Sequence, residues 1–368
     1  MPDISDTEFG AGLFSADYRG ARLRLLEECR RAGFVVDIRG HPLSGLDKEP
    51  LAMDVVLVGP ADAGSIVVVT SATHGVEGFG GSAIQLALVR DTDLHDTLTD
   101  TALLLIHAVN PYGFSWLRRV NEDNVDLNRN FVDHASASYP ENDLFELLYP
   151  YAVPREWNSR AIAECDAAIE TLARRHGAVE VRKALARGQY RHPDSIHFGG
   201  NAPSWSSTTL AAVCEDYLAR ARRAVLVDLH TGLGPYGHGE LMTPARPGEA
   251  VYDRLHAWFD GEVHSTTAGT SAYAGAKGSI LAGFRPACVG LEWTAVGLEF
   301  GTRDWSTVSL AIRADAWLHA HGDPQGALGA PIRRQVRDAF HVDEARWKRL
   351  VCQRGREVVG RLVAALSG

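Results

Sequence analysis

Three short runs of Val, Ile and Leu set the architecture open to this chain: Ile66–Thr70, Ala102–Ala108 and Ala224–Leu229. They show little polar alternation and are far too short to span a bilayer. A strand that is apolar on both faces needs cover on both faces, so these runs belong inside a sheet with helices above and below. Helical stretches stand around them. Tyr18, Ala21, Leu25 and Cys29 recur at helical spacing within Asp17–Arg31, and Gly80–Arg90 and Thr208–Ala221 read as further helices. The runs Asp54–Val58, Gly239–Met242 and Ala287–Trp293 extend the sheet, and a helix over Val342–Leu366 follows. This order predicts an α/β fold: a single domain over residues 1–368 with a central mixed, largely parallel sheet flanked by helices. An insertion is expected at about 132–224. Within it Gly188–Ser207, rich in Gly, Pro, Ser and aromatic residues, reads as a long ordered loop of the kind that often carries function.

Composition narrows the partners. A chain of 368 residues with 45% hydrophobic residues can bury a large core without a covalent staple. Its 37 basic and 46 acidic residues leave a net charge of −9, which argues against nucleic acid or an anionic membrane as partner. The five cysteines lie far apart with no CxxC pair and read as free, mostly buried thiols of a reducing compartment. The first residues have neither a basic nor an apolar leader segment, so a cytoplasmic location is expected. Oligomeric state is not legible.

Four stretches carry chemistry. Ser71-Ala-Thr-His74-Gly-Val-Glu77 follows the first buried strand and offers an imidazole and a carboxylate three residues apart on a turn. Both can reach one zinc ion, and ligands gather at the carboxyl ends of strands in open α/β sheets. An HxxE alone is far more often an ordinary exposed pair. Val225-Leu-Val-Asp-Leu-His230-Thr-Gly232 puts a second histidine at a strand end, where a core-edge histidine bonded to backbone is the plain alternative. Two His and one Glu make the three-ligand set of a catalytic zinc site. Asn110-Pro-Tyr-Gly113 and the polar stretch Arg118–Phe131 come next, with arginines suited to carboxylates and developing oxyanions. Finally Glu292 and Glu299 lie in an apolar stretch that should raise a carboxyl pKa, as a general base beside a metal requires. A structural acid paired to an arginine is an equal reading for Glu292.

Taken together, HxxE, NPxG, Arg followed by NVDLNRNF, a strand-ending His and a late Glu resemble the zinc carboxypeptidase superfamily, in that family's order. The superfamily includes carboxypeptidase A-like enzymes, murein peptide amidases and the succinylglutamate desuccinylase and aspartoacylase branch. The motifs span about Ser71 to Thr302, and the chain looks like an uncharacterised bacterial branch. The resemblance implies one Zn2+ per chain on His74, Glu77 and His230, with Asp126 orienting His74. It implies Arg119, rather than Arg118, as the group polarising the scissile carbonyl, and Asn128 with Arg129 gripping a substrate carboxylate. Glu299 is implied as the acid/base that assists attack by zinc-bound water. The implied activity is hydrolysis of an amide near a carboxylate of a peptide or N-acyl amino acid. A deacylase or esterase of the aspartoacylase type is the alternative, and a non-catalytic binding module a further one. No GxSxG elbow supports a serine hydrolase. The family's mobile-loop tyrosine has one candidate, Tyr273, which nothing local fixes. His192 and His197 are expected in loop packing or substrate contact, and His107 as a satisfied core histidine.

Overall fold

In the computed structural model, residues 10, 12–136, 138–271 and 275–367 are described. Their strands are β1 (Val36–Ser44), β2 (Pro50–Val58), β3 (Ser65–Thr70), β4 (Thr101–His107), β5 (Arg223–Tyr236), β6 (Gly239–Thr243), β7 (Val263–Ser265) and β8 (Glu292–Gly301). They form one 8-stranded sheet in the order β1-β2-β4-β3-β5-β8-β6-β7. The middle strands β4, β3, β5 and β8 run parallel. Antiparallel pairing joins β1 to β2, β2 to β4 and β6 to β8. The fold is thus the mixed, centrally parallel α/β sheet expected from the apolar runs.

The longer helices are α1 (Tyr18–Ala32), α2 (Gly78–Arg90), α3 (Asp143–Ala152), α4 (Ser159–His176), α5 (Ala178–Arg187), α6 (Trp205–Leu218), α7 (Ala250–Trp258), α8 (Trp305–Ala320), α9 (Gly329–Phe340) and α10 (Ala345–Ser367). Alternate strand residues explain why the central runs lack polar positions. Val67, Val69, Leu103, Leu105 and Val227 pack with Leu25 and Cys29 of α1, Ile84 and Leu88 of α2, and Val351, Val358 and Leu362 of α10. Ile66, Val68, Leu104 and Leu226 face the other way, toward Leu210 and Val213 of α6, Phe131 and Leu281. Each such buried side chain contributes about 1.5–3 kcal/mol through apolar area removed from water.

Local chemistry sets the helix ends. Asp17 caps α1 by accepting from the Gly20 N–H at 2.7 Å, and Gly33 ends it in the left-handed region at φ 78. Three expectations need correction. The strand placed at Ala287–Trp293 begins at Glu292 instead. Val289 is fully exposed and Gly290 has φ 78, so the first half of that run is a turn. The helix placed at Thr208–Ala221 is α6, started earlier by Ser204, whose Oγ accepts from the Ser207 N–H at 3.1 Å. His230 does not end its strand, because β5 runs on to Tyr236. All five cysteines are free thiols, three of them buried. Among the described residues no helix is long and apolar enough to cross a membrane.

Candidate metal centre and catalytic cleft

β3 stops at Thr70, whose register partner on β5 is Asp228. The neighbouring strand therefore emerges past its edge, and His230 is carried into open space beside the turn that follows β3. That turn holds His74 and a single 3-10 turn, Gly75–Glu77, before α2 begins. It is pinned by a close backbone approach: a Cβ on Gly75 would lie 2.1 Å from the Gly113 carbonyl carbon. Asn110 caps the short helix Pro111–Trp116 by accepting from the Gly113 N–H at 2.8 Å. The HxxE and NPxG motifs are thus two halves of one packed junction. On the other side, Glu299 of β8 is the register partner of His230.

His74, Glu77 and His230 offer ligand atoms that all lie within 4.8 Å of one another, and all three residues are buried. Nδ1 of His74 is 2.9 Å from Glu77 Oε1, and Nδ1 of His230 is 2.9 Å from Glu77 Oε2. Behind the rings, His230 Nε2 lies 2.5 Å from Asp228 Oδ2, and His74 Nε2 lies 3.1 Å from Asp126 Oδ1. A carboxylate can only accept, so Nε2 of His230 carries the proton and donates it to Asp228. Its Nδ1 faces a second carboxylate, Glu77, and against the effect of burial the two acids raise the pKa of the ring well above its ordinary value. The Nδ1 atoms of His74 and His230 both converge on the Glu77 carboxylate, where a divalent cation could take the place of the ring protons, so the donor set fits such an ion. Arg119 Nη2 also lies 2.7 Å from His74 Nε2, so that nitrogen faces both a donor and an acceptor.

Electrostatics follow the same geometry. Burial would raise the Glu77 pKa, but the two imidazoles facing it hold it down at about 2. Asp126 is likewise held well below the carboxylate range against its burial, chiefly by Arg119 and Arg129. Glu299 goes the other way: burial first, then the Glu77 charge, push it up to about 8. Its Oε1 accepts from the Leu233 N–H at 2.9 Å.

The other expected residues divide. Arg119 bonds Asp126 through Nη1 and lies 3.8 Å from Glu77 Oε1. Asn128 accepts from the Ile280 N–H at 2.8 Å and sits 3.3 Å from His230 Nε2. Arg129 is 1% exposed, and its guanidinium donates to the carbonyls of Asn128 and Ala186. Arg118 is turned away, held by Asp315 at 3.1 Å. Glu292 is the paired acid of the plain reading: it is exposed and lies 3.1 Å from Arg254. His107 is buried with Nε2 3.0 Å from Ser82 Oγ, yet Nδ1 has no hydrogen-bond partner, so it is less satisfied than expected. His192 packs on Tyr149, ring centroids 3.6 Å apart, outside the cleft. Tyr273 lies outside the described residues.

A cleft of about 620 Å³ is lined by His74, Glu77, Arg119, Asn128, Arg129, His230 and Glu299 together. Sequence reasoning missed several of its other features. Asp228 is one, although its position two before His230 on a strand put both on one face. Thr70 and Thr73 donate to its other oxygen at 2.7 and 2.6 Å. The segment before β5 adds Val179, Arg182, Lys183 and Ala186 to the cleft wall, beside His197, which was expected in loop packing or substrate contact. Arg303 stands there too.

A family described as "Protein of unknown function (DUF2817)" matches residues 14–354. No curated protein matches the sequence. Solved structures align over most of the chain. Bovine thrombin-activatable fibrinolysis inhibitor, in complex with tick carboxypeptidase inhibitor, is 14% identical, with 96% of this chain and 97% of that one covered at a TM-score of 0.48. A metallo-carboxypeptidase from Pseudomonas aeruginosa is 15% identical, with 92% and 69% covered at 0.42. Murein-tripeptide amidase MpaA from Escherichia coli O157 is 16% identical, with 79% and 93% covered at 0.32.

Proposed function

The chain belongs to the DUF2817 family of proteins of unknown function, and we propose that it is a zinc-dependent hydrolase that cleaves an amide bond near a substrate carboxylate. One observation carries this reading. Two imidazoles and a carboxylate from distant parts of the chain converge within 4.8 Å, and a buried glutamate stands on the adjacent strand in register with one of them.

His74, Glu77 and His230 would hold the ion. When bound, zinc supplies a Lewis acid and lowers the pKa of water to ~7. The chain's own groups do the rest. Glu299, kept basic by burial, takes a proton from the attacking water and passes it to the leaving amine. Arg119 faces the cleft beside His74 and stabilises the oxygen on which negative charge develops. Asn128 and Arg129 line the same wall, where a substrate carboxylate would share the donors of Arg129 with the two backbone carbonyls they already reach. Arg182, Lys183 and Arg303 add positive charge along the cleft of a chain whose net charge is −9. That favours an anionic substrate.

The test is metal analysis of the purified protein together with assays on blocked dipeptides and on N-acyl amino acids, with and without zinc. Zinc-dependent turnover of either class supports the reading, and the ratio between them separates peptidase from deacylase. A protein that binds no zinc, or that leaves both classes intact when loaded, is not this enzyme.

A further inference from the structure

His197 enters the cleft from the loop that follows α5, with a left-handed backbone at φ 53 that non-glycine residues rarely adopt. Its Nδ1 lies 3.0 Å from Asp126 Oδ2 and 3.3 Å from Arg119 Nη1. A carboxylate only accepts and a guanidinium only donates, so the nearer carboxylate fixes a proton on Nδ1. A second proton would place another cation beside Arg119 and Arg129 in a buried site. Burial above all, with those arginines, holds the imidazole neutral, its pKa pushed down to about 4. Nε2 is therefore a bare acceptor, and among the described residues nothing donates to it. The neighbouring cleft side chains Arg119 and Arg129 can only donate, which suits carbonyl and carboxylate oxygens, and the Asn128 oxygen already accepts from the Ile280 N–H. His197 is the group among them that can receive a substrate N–H.

We infer that His197 Nε2 accepts a hydrogen bond from the N–H of the bond that is cleaved, and so makes the site selective for amides over the matching esters. This rests on the hydrolase reading above. An ester puts an oxygen lone pair where the amide has its N–H, and two acceptors face each other. The loop residue thus selects substrate class, while the metal ligands and Glu299 perform the chemistry.

The test compares a blocked dipeptide bearing a free C-terminal carboxylate with the ester in which oxygen replaces the scissile N–H. His197→Asn keeps a side-chain N–H near Asp126 and removes the Nε2 acceptor. It is expected to lower kcat/KM on the dipeptide about tenfold, the effect of one lost hydrogen bond, and to leave the ester within about twofold. Zinc content should match the wild type. Equal losses on both substrates, or no loss on the dipeptide, overturn the inference. His197→Gln places an amide oxygen near the position of Nε2 and should keep the wild-type amide-to-ester ratio. A fallen ratio there also overturns it, and this variant decides if the Asn protein does not fold. A zinc-loaded wild type that cleaves neither substrate refutes the hydrolase reading, and this inference with it.

Discussion

Asp228 and His230 stand two residues apart on one face of β5, and the carboxylate of the first lies 2.5 Å from Nε2 of the second. Asp126 stands behind His74 in the same way, at 3.1 Å. Each imidazole of the proposed metal centre is thus backed by its own acid. Such partners fix the ring and strengthen it as a ligand. Asp228→Asn is expected to weaken zinc binding about 10- to 100-fold, measured by competition with a chromophoric chelator. Unchanged affinity would mean that Asp228 does not orient the ring.

Glu299 separates chemistry from metal binding. Its side chain accepts from the Leu233 N–H and makes no hydrogen bond to His74, Glu77 or His230. Glu299→Gln should retain zinc at the wild-type level while turnover falls at least about 100-fold, the range of a lost acid/base group. Zinc analysis and steady-state rates on one preparation check both halves. Near-normal turnover would remove Glu299 from the mechanism.

Two buried histidines make stability sensitive to acid. His107 and His341 are each pushed down to about 4, in both cases first by burial, which Asp54 partly offsets at His107. Unfolding frees each ring to titrate near 6.5. Between these values the unfolded chain binds more protons, so the stabilisation is present above pH 6.5 and is lost as the pH falls toward 4. For His107 the full loss is about 3 kcal/mol, from a gap of about 2.5 at 1.36 kcal/mol each. Urea unfolding between pH 4 and 7 reads it, and His107→Gln should flatten the slope. An unaltered slope would show that His107 does not stay neutral in the folded protein.

The cleft's positive wall predicts a salt effect. Arg182 is exposed and has no ion pair among the described residues. Arg182→Glu should raise KM for carboxylate-bearing substrates about two- to fivefold, in line with exposed charge pairs. The increase should shrink as ionic strength rises, and kcat should hold. A KM that stays constant at low salt would place the substrate's acid elsewhere.

The centre of the fold was legible because its signal is simple. β3 and β4 are buried on both faces, and unbroken apolar runs report that directly. The edges were not. β1 reads Val-Asp-Ile-Arg-Gly-His-Pro-Leu-Ser with one buried residue, and so carries no continuous apolar signature. β8 was placed too early, because Gly297 and two glutamates break its pattern while the apolar Val289 lies in an exposed turn. At the site, the short motifs pointed to His74, Glu77, Asp126, Arg119, His230 and Glu299, and the fold brings all six to one cleft or its immediate support. Asp228 was within reach of the strand rule and was overlooked. The cleft position of Arg182 had no such sign, while His197 was among the residues expected in loop packing or substrate contact. Arg182 lies on an amphipathic helix among other charges, whereas the Gly, Pro and aromatic content of the loop around His197 marked it out without any periodicity.

The pairing of His230 with Glu299 across β5 and β8 has a bearing on how such a protein can change. The spacing between the proposed metal ligand and the proposed base is dictated by the ladder of the sheet, not by any loop. Arg182 and His197 hang from a separate stretch of polypeptide that adds no strand to that ladder. On the proposed reading, the reacting pair is carried by the sheet and the cleft wall by a separate stretch, and the two meet at the contact between His197 and Asp126.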